Sequence, residues 1–351
     1  MWQGTLRHDA IANQFRTTLR RGRLASTYLF VGPDGVGKRR FALALAKALL
    51  CQRPGDDLLE PCGNCDSCRL FAAGNHPDLD VVGLPKDKST LPLDVFIGDK
   101  DHRNQDGLCH RISLRPFLGG RKIAIIDDAD YFSAESANCL LKTLEEPPPR
   151  SLLILIGTSP SKQLPTIRSR SQLIRFQRLT NDDVVEILLN NALAADRAQA
   201  EQLAAHSDGS VSRALALADQ ALWEFREQLL RELSEGPKNS VRLAKSIQAF
   251  VDEAGKEASD RRERLRTVIG FAEDFYRGLL RTRSGATVEG DARLLGAIRT
   301  RATERRANSA HSLLQTLDGC LTTEESVDRN ANLALAIQRW SEELAESGVS
   351  I

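Results

Sequence analysis

One segment limits the fold more than any other. The apolar run Tyr28-Leu29-Phe30-Val31 ends at Gly32-Pro33-Asp34-Gly35-Val36-Gly37-Lys38-Arg39, and residues 38–50 then place Phe41, Leu45, Ala48 and Leu49 at helical spacing. A buried strand that passes through a glycine-rich loop into a helix predicts a parallel α/β layer, because the chain must cross over a sheet face. Glycines let backbone N–H groups close around phosphate oxygens, the helix N-terminus adds its dipole, and Lys38 can reach terminal phosphates. Gly32, Gly35, Gly37, Lys38 and Arg39 are therefore the candidate nucleotide contacts.

The same α/β pattern recurs. Lys122-Ile123-Ala124-Ile125-Ile126 reads as a second buried strand running into Asp127-Asp128-Ala129-Asp130. Ser133 is the expected N-cap of a helix that carries Leu140, Leu141 and Leu144 and stops at Pro147-Pro148-Pro149. Leu152–Ile156 and Leu173–Phe176 complete the strands, and the broken, polar stretch 83–107 reads in part as loop. Beyond about residue 178 the strand signals vanish. Thr180 and Asp183 have capping-box spacing, and helices follow, with breaks near Gly209, at Gly236-Pro237 and across Gly285 to Gly290. The expected organisation is an α/β domain over 1–178, a small helical lid over 179–222 and an all-helical domain over 223–351.

Charge excludes some functions. Lys and Arg number 48 against 47 Asp and Glu, a net of +1, so bulk charge does not drive nucleic-acid binding. The clusters Arg261-Arg262-Glu263-Arg264 and Arg299-Thr300-Arg301 read as solvated helix faces. A hydrophobic content of 41% with 27% charged residues excludes wholesale disorder. No apolar run approaches the roughly 18 residues of a membrane span, and the N-terminus lacks an apolar signal region, so a cytoplasmic protein away from membranes is expected.

Chemistry concentrates at four places. A phosphate loop normally continues with Ser or Thr after its lysine, because that hydroxyl ligates Mg²⁺; Arg39 stands there, and a guanidinium has no lone pair for a metal. Asp127 ends a strand where a Mg²⁺-associated carboxylate is expected, and Asp128 is one methylene shorter than the glutamate that would activate water. Both departures weaken the same hydrolysis, so Mg²⁺ is not expected and the chain's own ATPase should be weak or absent. Cys51, Cys62, Cys65 and Cys68, with Pro61 and Gly63 shaping the turn, offer four thiolates suited to a closed, structural Zn²⁺ site within an insert spanning 51–68. Cys109, Cys139 and Cys320 are scattered and read as ordinary buried thiols. Arg170, in Ser169-Arg170-Ser171, is either a plain surface arginine or one supplied to a neighbour's γ-phosphate.

Taken together, several stretches resemble the clamp-loader ATPases of bacterial replication, a branch of the AAA+ class, and among them the delta-prime-type subunits of DNA polymerase III. They are Gly32–Lys38, the four cysteines, His76-Pro77-Asp78-Leu79, Ile125–Asp130, Asn138–Pro148 and Leu164–Ser171, covering residues 1–215 densely. The resemblance implies an AAA+ domain with a helical lid and a C-terminal collar. It implies a five-subunit ring with gamma/tau and delta subunits that opens the sliding clamp and loads it onto primed DNA. On this chain Arg170 would be the finger acting on ATP bound by a neighbouring gamma/tau subunit. Thr158 or Ser159 would be the sensor after the third strand, and Arg213 the second sensor in the lid. Ser171 departs from the usual Cys, which leaves the arginine's charge untouched. Arg39 and Asp128 fit a delta-prime stator, typically a poor or inactive ATPase, better than a gamma/tau motor; Lys38 and the glycines could hold ATP or ADP without hydrolysing it. Two rivals remain: a working gamma-type ATPase, and a zinc-dependent DNA-binding module on a vestigial nucleotide fold.

Overall fold

The computed structural model describes residues 7–53, 59–85, 88, 90–103, 105–237, 239–288, 290–303, 309–329 and 331–346. The chain divides into two compact units, Met1–Ala214 and Leu215–Ile351.

The first unit runs α1 (Asp9–Arg20), β1 (Thr27–Val31), α2 (Lys38–Leu50), α3 (Asp66–Ala72), β2 (Leu79–Val82), α4 (Asp94–Ile97), α5 (Leu108–Ser113), β3 (Lys122–Ile126), α6 (Ala134–Glu145), β4 (Ser151–Gly157), α7 (Pro165–Arg168), β5 (Gln172–Arg175), α8 (Asn181–Asn190), α9 (Arg197–His206) and the start of α10 (Val211–Ala216). All strand pairs are parallel, and the sheet order is β2-β3-β4-β1-β5. Parallel strands covered on both faces need side chains that are apolar in both directions, and β1, β3 and β4 are buried throughout. Tyr28 and Phe30 turn to one face, with Phe15, Phe41 and Phe176; Leu29 and Val31 turn to the other, with Leu108, Leu140 and Ile167. This is the expected α/β fold, with the glycine-rich loop leaving the C-terminal end of β1.

Two predicted helix starts are present as read. Ser133 Oγ accepts the Ser136 N–H at 3.0 Å, and Thr180 and Asp183 form a reciprocal capping box. The strand β2 escaped the sequence pattern because it is a short edge strand whose Asp80 is ion-paired with Arg111 at 2.6 Å, which breaks the apolar run. Within 83–107, α4 buries Phe96.

In the second unit the helices are α11 (Gln220–Glu235), α12 (Ser240–Asp252), α13 (Ala258–Arg283), α14 (Ala292–Ala302), α15 (Ala310–Asp328) and α16 (Leu333–Glu346). The longest, α13, buries Leu265, Val268, Ile269, Ala272, Phe275 and Leu279, a stripe at helical spacing. Here the structure corrects the solvated-face reading of the arginine clusters. Arg264 bonds Asp219 at 2.9 Å and lies over the Phe250 ring at 4.9 Å; Arg261 bonds the Gly255 carbonyl at 2.6 Å; Arg301 is buried. These guanidiniums hold helices together within the unit, since their flat faces stack and their donors satisfy carboxylates and carbonyls.

Candidate functional site

The phosphate loop joins β1 to α2 through backbone that glycine favours. Gly37 is left-handed at φ 97° and precedes Lys38 as the helix cap; Gly35, at φ 73°, lies so close to Ser210 that a Cβ there would overlap its hydroxyl. The Gly35 carbonyl accepts the Val211 N–H at 3.0 Å, so the start of α10 rests on the loop. His8 supports it from the other side, its Nε2 2.8 Å from the Val36 carbonyl, and burial holds this imidazole below its usual pKa.

Lys38 is only 7% exposed, and its ammonium is clasped by the Gly32 and Pro33 carbonyls at 2.6 and 2.7 Å, with Asp34 at 3.5 Å. Burial lowers its pKa, and Asp34 counters part of that effect. Next to it, Arg39 Nε lies 3.3 Å from Asp127 Oδ2. The other Asp127 oxygen accepts the Asp128 N–H at 3.1 Å. Asp128 sits in the left-handed region at φ 56°, and its Oδ2 accepts the Leu84 N–H at 3.1 Å, so its carboxylate bonds the chain that leaves β2. Burial raises both carboxyl pKa values, with mutual repulsion as the second cause for Asp127.

Thr158 abuts the loop, accepting the Gly32 N–H at 3.1 Å. Its own N–H and hydroxyl both donate to Asp130, at 2.8 and 2.5 Å, and Gln163 donates to the second Asp130 oxygen. Ser159 instead caps the short 3-10 turn Pro160–Lys162. Arg213 lies half-buried on α10, the helix that touches Gly35. Asp130, which the sequence reading treated only as part of an acidic run, is thus the group that orients Thr158.

Arg170 lies elsewhere. It precedes β5, and Gln172 pairs with Tyr28 at the start of β1, whereas the loop begins after Val31 at the other end of that strand. Four residues of strand separate those two levels by about 13 Å, so Arg170 lies at the opposite end of the strands from the start of the Lys38 loop. Its guanidinium is 34% exposed, bonds Glu145 at 2.6 Å and donates to the Thr166 carbonyl at 3.0 Å. Glu145, the last residue of α6, belongs to a motif quoted above but had been given no role.

The four cysteines converge at the ends of α2 and α3. Their Sγ atoms all lie within 4.8 Å of one another, with Cys51–Cys65 at 3.9 Å and Cys62–Cys68 at 4.0 Å. Four sulfurs bound tetrahedrally at about 2.3 Å from zinc would be about 3.8 Å apart, so the donor set fits that ion with no opening for water. The Cys62 and Cys68 N–H groups donate to Cys51 and Cys65, both at 3.4 Å. Backbone donation from Asn64 lowers the Cys62 thiol to about 6, while burial pushes Cys68 up to about 12; metal binding at this site would release that proton.

A hydrogen-bond relay ties this module to the sheet. The Asp78 N–H donates to His76 Nδ1 at 3.0 Å, which leaves Nε2–H to face Ser67 Oγ at 2.8 Å, and Ser67 donates to the Leu50 carbonyl at 2.5 Å. Burial lowers the His76 pKa, in keeping with a neutral ring. Of the other three cysteines, Cys320 is buried and Cys109 and Cys139 are half-buried.

Residues 7–180 match the family described as DNA polymerase III, delta subunit. The subunit delta' of Pseudomonas aeruginosa DNA polymerase III is 36% identical over 222 residues, 63% of this chain and 64% of that protein. The Bacillus subtilis subunit delta' is 33% identical over 203 residues, 57% of this chain and 56% of that protein. The B. subtilis tau subunit is 29% identical over 275 residues, 76% of this chain and 46% of that protein. The chain therefore spans less than two thirds of the length of these relatives. Over residues 7–180, with its P-loop, four-cysteine module and Ser-Arg segment, the chain belongs to the DNA polymerase III delta subunit family.

Proposed function

We propose that the chain is a delta-prime-type stator of a clamp loader, in a ring with gamma/tau and delta subunits that places the sliding clamp on primed DNA in the cytoplasm. Arg170 is then a finger for the ATP of a neighbouring subunit, and Zn²⁺ on Cys51, Cys62, Cys65 and Cys68 is structural. The observation that carries this reading is the division of the sheet: Arg170 stands at the N-terminal end of the strands, away from its own Lys38 loop at the C-terminal end, while the loop has Arg39 and Asp128 where hydrolysis needs a hydroxyl and a glutamate. An arginine so placed serves a site other than its own. Thr158 and Arg213, both near the loop, are the residues that would sense bound ATP or ADP there.

The test is ATP turnover by the reconstituted loader with clamp and primed DNA. Fingers contribute about 10³–10⁵ in rate, so Arg170→Ala should cut turnover at the neighbouring site sharply while Lys38→Ala changes it little. The match to tau subunits and the retained lysine favour one alternative, a working motor. That reading requires the reverse result, loss with Lys38→Ala and none with Arg170→Ala.

A further inference from the structure

We infer that Arg39 is a resident cation in the place of Mg²⁺, so that the Lys38 loop binds a nucleoside di- or triphosphate without a divalent metal. The inference rests on the nucleotide-loop part of the proposed function and is independent of the role given to Arg170.

The residues present do not suit the metal. Mg²⁺ demands near-octahedral oxygen coordination and takes one or two protein oxygens alongside phosphates and water. The position that would supply the hydroxyl carries five N–H donors and no lone pair. Both oxygens of Asp127 are engaged, one facing Arg39 Nε at 3.3 Å and the other accepting the Asp128 N–H at 3.1 Å. Asp128 bonds the Leu84 N–H at 3.1 Å. A divalent ion entering here would also meet the guanidinium's like charge.

The arrangement does suit a phosphate. Arg39 is 62% exposed beyond its contact with Asp127, which leaves guanidinium donors open to solvent beside the helix N-terminus. A planar fork of N–H groups matches phosphate oxygens in pairs. Lys38 sits one residue away, so two cations flank the position a terminal phosphate would take.

The experiment is a titration of the full-length chain with N-methylanthraniloyl-ADP and N-methylanthraniloyl-ATP. Metal-depleted buffer without chelator, which spares the four-cysteine site, is compared with the same buffer plus Mg²⁺. Wild-type affinity should change less than about threefold between the two, and Lys38→Ala should abolish binding in both. Arg39→Thr should bind about tenfold or more weakly in the metal-depleted buffer and recover with Mg²⁺. With Mn²⁺ and ADP as the probe, electron paramagnetic resonance should report bound metal in Arg39→Thr and none in wild type. The inference is overturned by any of four results: a tenfold metal requirement in wild type, no binding in either buffer, binding that survives Lys38→Ala, or an Arg39→Thr variant that behaves as wild type. None of these touches the Arg170→Ala result, so the two ideas stand or fall separately.

Discussion

Asp78 offers a stability test whose size follows from its contacts. The side chain is 1% exposed, and its two oxygens accept the Phe117 and Leu118 N–H groups at 2.7 and 2.9 Å. Lys122, itself nearly buried, lies 3.7 Å from Oδ1 and keeps a second partner in the Pro77 carbonyl at 3.0 Å. Asp78→Ala would strand two amide donors, each costing about 1–3 kcal/mol, and would remove a countercharge from Lys122; the sum is about 3–5 kcal/mol. Asp78→Asn keeps one acceptor oxygen but turns an NH₂ group toward the other donor, so about 2–3 kcal/mol is expected. For a unit of this size each kcal/mol lowers the melting temperature by about 2–4 °C, which predicts a fall of about 6–20 °C for the alanine variant. Differential scanning calorimetry of the zinc-loaded full chain reads this in the transition of the first unit. A drop under about 2 °C for Asp78→Ala, or a larger drop for Asp78→Asn than for Asp78→Ala, would show that this carboxylate does not anchor the 117–118 backbone.

Other expectations are equally direct. Elemental analysis should find one zinc per chain in wild type and a loss in Cys62→Ser, with a lower melting temperature for the first unit; zinc-free wild type would refute the site. Burial holds His8 and His76 below the ordinary imidazole value, so the unfolded chain binds more protons as pH falls. Stability should then be fully present above about pH 6.5 and decline below it, read as melting temperature between pH 7.5 and 5.5; a flat or rising profile refutes the assignment. Gly35→Ala meets both a left-handed φ and the Ser210 hydroxyl, so it should cost about 1–3 kcal/mol, and Gly35→Ala/Ser210→Gly should recover only part in the same calorimetric assay. Glu145→Ala removes an exposed partner of Arg170 and should slow the reconstituted loader by no more than about fivefold, far less than Arg170→Ala.

Much of the first unit was legible because a parallel sheet buried on both faces writes itself as continuous apolar runs, as at Lys122–Ile126. Caps were legible for a similar reason: Ser133 and Thr180 each satisfy a helix N-terminus from within their own few residues, although Arg7 also reaches Thr180 Oγ1 at 3.3 Å and Asp183 at 2.7 Å. What the sequence hid is whatever depends on a distant partner. The strand β2 carries Asp80 because Arg111 meets it, and nothing near Asp80 signals that. Glu145 and Arg170 are adjacent only once β4 and β5 are laid parallel. Asp130 became a hub for Thr158 and Gln163 through the loop geometry after β3 and β4. In the second unit, arginine clusters looked like solvated faces because charge pattern alone does not show that Arg264 stacks on Phe250 or that Arg301 is enclosed. The four cysteines were the opposite case, since short spacing and thiol chemistry specify the cluster before any fold is known.

The clasp on Lys38 has one more consequence. An ammonium that already holds two main-chain carbonyls at 2.6 and 2.7 Å is not an idle charge awaiting an anion. Any phosphate arriving at this loop must trade places with Gly32 and Pro33, so capture is an exchange of partners rather than an addition. Affinity here then reflects only the difference between two good acceptors and a better one.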